Sequence, residues 1–205
     1  DAAMYRAKNL GRNGCQFHSE VVNAQAFERL ALENALRAAV ADNQFLLHYQ
    51  PIYDVKTGRA VAVEALLRWR HPEVGVVAPN QFLAVAEETG LLVPIGNWVF
   101  EQACRQVKAW RDAGADELRL HVNLSARQLR QPDLIERIAG ALELSRLPPH
   151  ALVLEVQESC VVDKSFDPTA LFARLAALGV GLAIDEFGSG YSSFAFLRRL
   201  PVTII

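Results

Sequence analysis

Four stretches of the chain alternate Leu/Val positions with small or polar ones at a period of two. Each also carries an oxygen-bearing side chain toward its carboxyl end. In Ala60 to Arg70, Val61, Val63, Ala65, Leu67 and Trp69 oppose Ala60, Ala62, Glu64, Leu66 and Arg68. In Leu118 to Ser125 an apolar set of Leu118, Leu120, Val122 and Leu124 opposes Arg119, His121 and Asn123. Ala151 to Glu158 repeats the pattern with Leu152, Leu154 and Val156 against Val153, Glu155 and Gln157. In Gly179 to Gly190, Val180, Leu182 and Ile184 oppose Gly181, Ala183 and Asp185, and the run ends in adjacent carboxylates, Asp185-Glu186, before a glycine-rich turn. Side chains of a strand alternate between its faces, so Glu64, Asn123, Glu155 and Asp185 all fall on the face away from the apolar stripe.

Helical spacing fills the intervals. Gln81 to Glu88 reads as a short helix. Asn97 is expected to cap a longer one carrying Val99, Phe100, Ala103, Val107 and Trp110 up to Gly114. Leu134, Ile135, Ile138 and Leu142 mark another, and Asp167-Pro168 starts one bearing Leu171, Phe172, Leu175 and Leu178, stopped by Gly179. Upstream, Asp1 to Arg12 is helical in pattern and a short Cys15-Gln16-Phe17 run follows. Ser19 is placed to cap a helix with Leu32, Leu36 and Val40 on one side. Phe45 to Tyr53 alternates as a strand, and Lys56-Thr57-Gly58 turns it into the Glu64 strand. Downstream, Ser192 to Leu200 is expected to be a helix and Val202 to Ile205 the start of one more strand. Strand and helix in alternation predict an α/β fold with a parallel sheet. Functional groups at successive strand ends favour a (β/α)8 barrel of TIM-barrel type, incomplete here because only its first five to six strands are present.

Acidic and amide side chains at strand ends also serve as caps for the following helix. Four of them on one face point instead to a cluster of hard oxygen ligands, with Glu186 beside them. Such donors suit Mg²⁺ or Mn²⁺ better than zinc. The 205 residues are 51% apolar with a formal net charge of -2, enough for one sizeable core and without the basic balance of a nucleic-acid or membrane surface. No apolar run approaches the ~20 residues of a spanning helix. The three cysteines, Cys15, Cys104 and Cys160, are scattered, which fits reduced thiols and a cytoplasmic setting.

The motifs Glu64-Ala65-Leu66-Leu67-Arg68-Trp69, Asn123-Leu124-Ser125-Ala126, Leu154-Glu155-Val156-Gln157-Glu158 and Ile184 to Ser193 resemble, in order and spacing, the EAL-domain cyclic-di-GMP phosphodiesterases. Gln50-Pro51 and Ala86-Glu87-Glu88-Thr89-Gly90 add to the likeness, which runs from about Leu32 to the end. Asp1 to Asn13 resembles the closing stretch of a diguanylate cyclase (GGDEF) domain. The resemblance divides the chain into the end of a GGDEF domain over 1–18, a connector helix over 19–31 and the amino-terminal portion of an EAL domain over 32–205.

The resemblance implies an enzyme that hydrolyses one phosphodiester bond of cyclic-di-GMP to give linear pGpG, with two Mg²⁺ or Mn²⁺ ions. It makes Glu64, Asn123, Glu155 and Asp185 ligands of one metal, and Asp185 and Glu186 ligands of the second. Glu64, Asp185 and Glu186 are then the catalytic carboxylates, and Gln50 and Arg68 the substrate-binding residues, with Arg68 on a phosphate. The family carries Asp-Asp where Asp185-Glu186 stands here, so one carboxylate is moved by a methylene. A non-catalytic cyclic-di-GMP receptor or dimerisation module is the alternative, and an enolase-like metal barrel explains the strand ends but not the Asp185 to Gly190 turn. The chain opens inside a helix and ends short of the Lys and later acidic residues of the family pattern. The expectation is therefore that residues 1–205 either associate, as a homodimer, or are an ordered portion of a longer chain, and in either case do not hydrolyse cyclic-di-GMP.

Overall fold

The computed structural model describes residues 20–161, 167–188 and 198–205. Helix α1 (Glu20–Ala41) leads into strands β1 (Phe45–Tyr53), β2 (Ala60–His71) and β3 (Gly75–Val77). Helices α2 (Leu83–Thr89) and α3 (Leu92–Asp112) precede β4 (Arg119–Leu124), and α4 (Ala126–Leu129) and α5 (Leu134–Ser145) precede β5 (Leu152–Gln157). The short α6 (Glu158–Val161) and α7 (Thr169–Leu178) then bring the chain to β6 (Gly181–Asp185). The expected helix over Asp1 to Arg12, the Cys15 to Phe17 run, the Ser19 cap and most of the expected Ser192 to Leu200 helix lie outside the described residues.

The strands form one sheet in the order β1-β2-β4-β5-β6, with β3 added to β2. β1 and β2 are an antiparallel hairpin, whereas β2, β4, β5 and β6 run parallel, as the alternation of strand and helix predicts. Asp54 ties the hairpin turn by accepting hydrogen bonds from the Thr57 backbone N–H (2.7 Å) and hydroxyl (2.8 Å). These bonds hold its carboxyl below the usual carboxylate range. On one face of the sheet Leu120, Val122, Leu124, Leu152, Leu154, Val156, Leu182 and Ile184 are buried against the apolar sides of α3, α5 and α7. Each such burial contributes roughly 1.5–3 kcal/mol by removing apolar surface from water, so this face fixes which way the polar face must look.

Two helix starts need correction, and a third expectation is met over a shorter span. Asn97 is not a cap: α3 begins at Leu92, five residues earlier, and Asn97 lies in its interior. Pro94 and Gly96 look like breakers in sequence. Pro94 instead sits in the first helical turn, where its missing N–H is no loss, and Gly96 leaves room for a neighbouring side chain. The short helix expected over Gln81 to Glu88 is α2, Leu83–Thr89, because Pro79–Gln81 forms a separate 3-10 turn first. The strand expected over Val202 to Ile205 is present as a single parallel bridge, Ala183 to Ile204, with Thr203 N–H donating to the Leu182 carbonyl at 2.9 Å. Pro201 has no N–H to give the ladder, so pairing starts only after it.

At the end of α7, Gly179 takes the left-handed conformation (φ 92°) that its sequence position as a helix stop requires. A Cβ there would also press to 3.2 Å on the Pro149 ring. Cys104 is buried and free, and burial pushes its thiol up to about 12.

Candidate functional site

The polar face of the sheet is where the sequence-predicted residues gather, and the register decides how. Asn123 pairs directly with Glu155 across β4 and β5. Glu64 on β2 pairs with His121, one pleat before Asn123. On the other side, Glu155 pairs with Ala183, while Asp185 pairs with Gln157, one pleat further along. The four oxygen-bearing residues therefore climb the sheet in steps from β2 to β6, as staggered pairing in a tilted, barrel-type sheet produces. Gln50 stands opposite Glu64 across the hairpin and is exposed.

Side-chain bonds hold three of them. Asn123 donates from Nδ2 to Oε1 of Glu64 at 2.6 Å, joining residues 59 positions apart in the chain. His121 Nδ1 meets Oε1 of Glu155 at 2.6 Å, with the histidine almost completely buried at 5% exposure. Glu64 Oε2, Asn123 Oδ1 and Glu155 Oε2 have no partner among the described residues. Burial pushes the Glu64 carboxyl above its usual range; the Asn123 bond draws it down, the charges of Glu155 and Asp185 push it up, and His121 draws it down again. Negative charge thus accumulates from three strands around one place.

The β6 end is built differently. Asp185 and Glu186 are both exposed, and Asp185 Oδ1 accepts the Glu186 N–H at 2.8 Å. Glu186 itself has a positive φ of 53°, a left-handed conformation uncommon outside glycine, asparagine and aspartate. Two residues on, the Gly188 N–H donates to Glu158 Oε2 at 2.7 Å, and Glu158 is buried at 1% exposure. Among the described residues no three His, Cys, Asp or Glu side chains stand as a preformed metal site. Glu64 and Glu155 are each engaged with a neighbour, and Asp185 is a pleat away with one oxygen on its own backbone. The donor chemistry nevertheless fits a hard divalent cation, since the outward oxygens are those of two carboxylates and an amide.

A cavity of about 520 Å³ opens beside Asn123 and Glu155, which share its walls with Gln157, Glu87 and apolar side chains of β2, β4 and α3, whereas Gln50, Glu64, Arg68, Asp185 and Glu186 do not line it. That is the scale of a small-molecule pocket. Arg68 shares the Glu64 face by parity, but its Nη1 donates to the Leu67 carbonyl at 2.7 Å rather than to any site carboxylate. The wall behind Asn123 rests on a reciprocal helix cap at the start of α4. Ser125 Oγ donates to Gln128 Oε1 at 2.9 Å and accepts the Gln128 N–H at 3.3 Å, and the Ser125 N–H donates to Gln128 Oε1 at 3.2 Å. Gln128 is buried against Gly96 of α3, where a Cβ would lie 2.1 Å from its Nε2.

Reasoning from sequence passed over His121, Glu158 and Gln128. His121 shares the parity of Asn123, a signal that was available. Glu158 acts on a partner 30 residues away and no local pattern marks it, whereas the Ser125-Ala126-Arg127-Gln128 spacing of a capping box was a local signal for Gln128.

Fold and site define a parallel α/β protein of barrel type, with a carboxylate-rich rim at the strand ends next to a ligand-sized cavity. The EAL domain family matches residues 33–205, and the chain belongs to that family. The bifunctional diguanylate cyclase/cyclic di-GMP phosphodiesterase MucR of Pseudomonas aeruginosa is 46% identical over 203 residues, which are 99% of this chain and 30% of that protein. The cyclic di-GMP phosphodiesterase NbdA of the same organism is 40% identical over 200 residues, 98% of this chain and 26% of that protein. The chain thus spans less than a third of the length of either relative. Among solved structures, the PaMucR phosphodiesterase in its c-di-GMP complex superposes with a TM-score of 0.82 at 43% identity, covering 85% of this chain and 71% of that one. The FimX EAL domain from Pseudomonas aeruginosa bound to c-di-GMP gives 0.75 at 30% identity, covering 84% and 69%. No helix among the described residues is long and apolar enough to cross a membrane.

Proposed function

We propose that the chain is the amino-terminal part of the catalytic domain of a cytoplasmic, homodimeric cyclic-di-GMP phosphodiesterase that yields linear pGpG. The observation that carries this reading is the gathering of Glu64, Asn123 and Glu155 from three different strands, Glu64 bonded to Asn123 and Asn123 paired in register with Glu155, beside a cavity that Asn123 and Glu155 line. In this reading Glu64, Asn123, Glu155 and Asp185 hold one Mg²⁺ or Mn²⁺, and Asp185 and Glu186 serve a second. Bound there, such ions supply an activated water and neutralise charge on the leaving oxygen. The chain's own residues orient the substrate. Leu66 lies against the cavity, Gln50 reaches across from the hairpin edge, and Arg68 turns its guanidinium from the Leu67 carbonyl to a phosphate, for which its planar fork is suited.

Glu186 supports a second reading, a receptor that binds cyclic-di-GMP without cutting it, because it is exposed and held in a left-handed turn. One experiment separates the two. The complete protein is incubated with cyclic-di-GMP and Mg²⁺ or Mn²⁺, with Glu64→Ala and a chelator as controls, and pGpG is followed by chromatography. Metal-dependent pGpG that disappears in Glu64→Ala supports the enzyme. Tight nucleotide binding without product supports the receptor and removes the catalytic roles.

A further inference from the structure

We infer that His121 is a positioning residue that holds Glu155 in the orientation a metal ligand needs, an inference that rests on the reading of Glu155 as a ligand. The placement follows from the register. His121 lies between Glu64 on β2 and Val153 on β5, so its ring sits one pleat below the Asn123–Glu155 pair and on their face. It is nearly inaccessible, and its Nδ1 is 2.6 Å from Glu155 Oε1. A metal-ligating glutamate is ionised and can only accept, so in that state Nδ1 carries the hydrogen and donates. One carboxylate oxygen is then fixed to His121, and Glu155 Oε2, without a partner among the described residues, is left free on a residue that lines the cavity.

A glutamate has three rotatable bonds and loses conformational freedom when it coordinates. Fixing one oxygen in advance removes part of that loss, which is how hydrogen-bonding partners around a metal site act on its ligands. Val153, the neighbour of His121 on the other strand, has no donor to offer, so the task falls to His121 within this row.

The test uses the complete protein and three variants. His121→Phe keeps a buried ring without a donor, and His121→Asn keeps an N–H close to the Nδ1 position. Glu155→Ala removes the proposed ligand. Mn²⁺ affinity is read by electron paramagnetic resonance and folding by thermal melting. His121→Phe is expected to weaken Mn²⁺ binding by about 10- to 100-fold, His121→Asn to recover most of that loss, and His121→Phe to add little on top of Glu155→Ala because it acts through Glu155. Unchanged affinity in His121→Phe, or equal losses in the Phe and Asn variants, overturns the inference while leaving Glu155 a ligand. Unchanged affinity in Glu155→Ala overturns the ligand reading, and the inference falls with it. If His121→Phe does not fold, nitrogen-15 spectra of the labelled wild-type histidine decide instead. A protonated Nδ1 whose signal moves in Glu155→Gln supports the clamp, and an unprotonated Nδ1 ends it.

Discussion

The two ends of the proposed site are held in contrasting ways. At β2, β4 and β5 the three proposed ligands are each restrained by a side chain from a different strand, with Asn123 on Glu64 and His121 on Glu155. At β6, Asp185 and Glu186 are exposed and, among the described residues, bonded only locally, and the turn beyond them is anchored through the Gly188 backbone to buried Glu158. The difference teaches that the proposed first cation position would be organised by the sheet, whereas the proposed second would depend on a turn. A sheet with buried faces is rigid, and a turn is only as fixed as its anchors.

The comparison breaks most visibly at Glu155. In the complete protein Glu155→Ala is expected to lower kcat by about a thousandfold or more, the effect of losing several kcal/mol of charge stabilisation. A loss below tenfold would show that the centre of the site lies elsewhere. At the β6 end, Glu158→Ala leaves the Gly188 N–H without its acceptor and is expected to lower stability by about 1–3 kcal/mol in denaturant titration. Glu158→Gln, which keeps an acceptor, should recover part of this.

Gly96→Ala sharpens the contrast from the other side. Its Cβ would displace Gln128 from the Ser125 cap, so the same titration should show a loss of about 1–3 kcal/mol, with weaker Mn²⁺ binding because Asn123 is two residues from Ser125. Glu186→Asp is a smaller change. Asp accepts a left-handed backbone more readily than Glu, and its shorter side chain is expected to raise turnover at limiting Mg²⁺ by a few-fold, about 1 kcal/mol or less. A fall in turnover would show that the turn has adapted to glutamate.

The smallest effect concerns Glu64 and pH. Its carboxyl is raised by burial first, so the folded state favours the proton more than the unfolded state does. That contribution is present at pH below the ordinary carboxylate range and is lost as pH rises through the raised value. Metal-free Glu64→Gln, which still accepts from Asn123, should therefore melt higher than wild type at pH 7, by at most about 2–4 °C given the partial exposure. The gain should vanish near pH 4; a gain that persists there would assign the effect to packing rather than charge.

Period-two alternation was enough to place Glu64, Asn123, Glu155 and Asp185 on one face, and to find β1 with its own bounds, because side-chain parity is a local property of an extended backbone. The motif order around these residues was enough to name the family, later matched over 33–205. Helix starts were less legible: Pro94 and Gly96 concealed the first turn of α3, since whether a glycine breaks a helix or admits a neighbour depends on Gln128 arriving from another helix. Parity also leaves register open. Only the paired sheet put Glu64 a pleat below Asn123 and Asp185 a pleat above Glu155, and only it brought His121 to Glu155 across 34 residues of chain. Hydrogen-bond partners between strands are chosen by how the crossovers pack, and no stretch of sequence shorter than the whole sheet contains that choice.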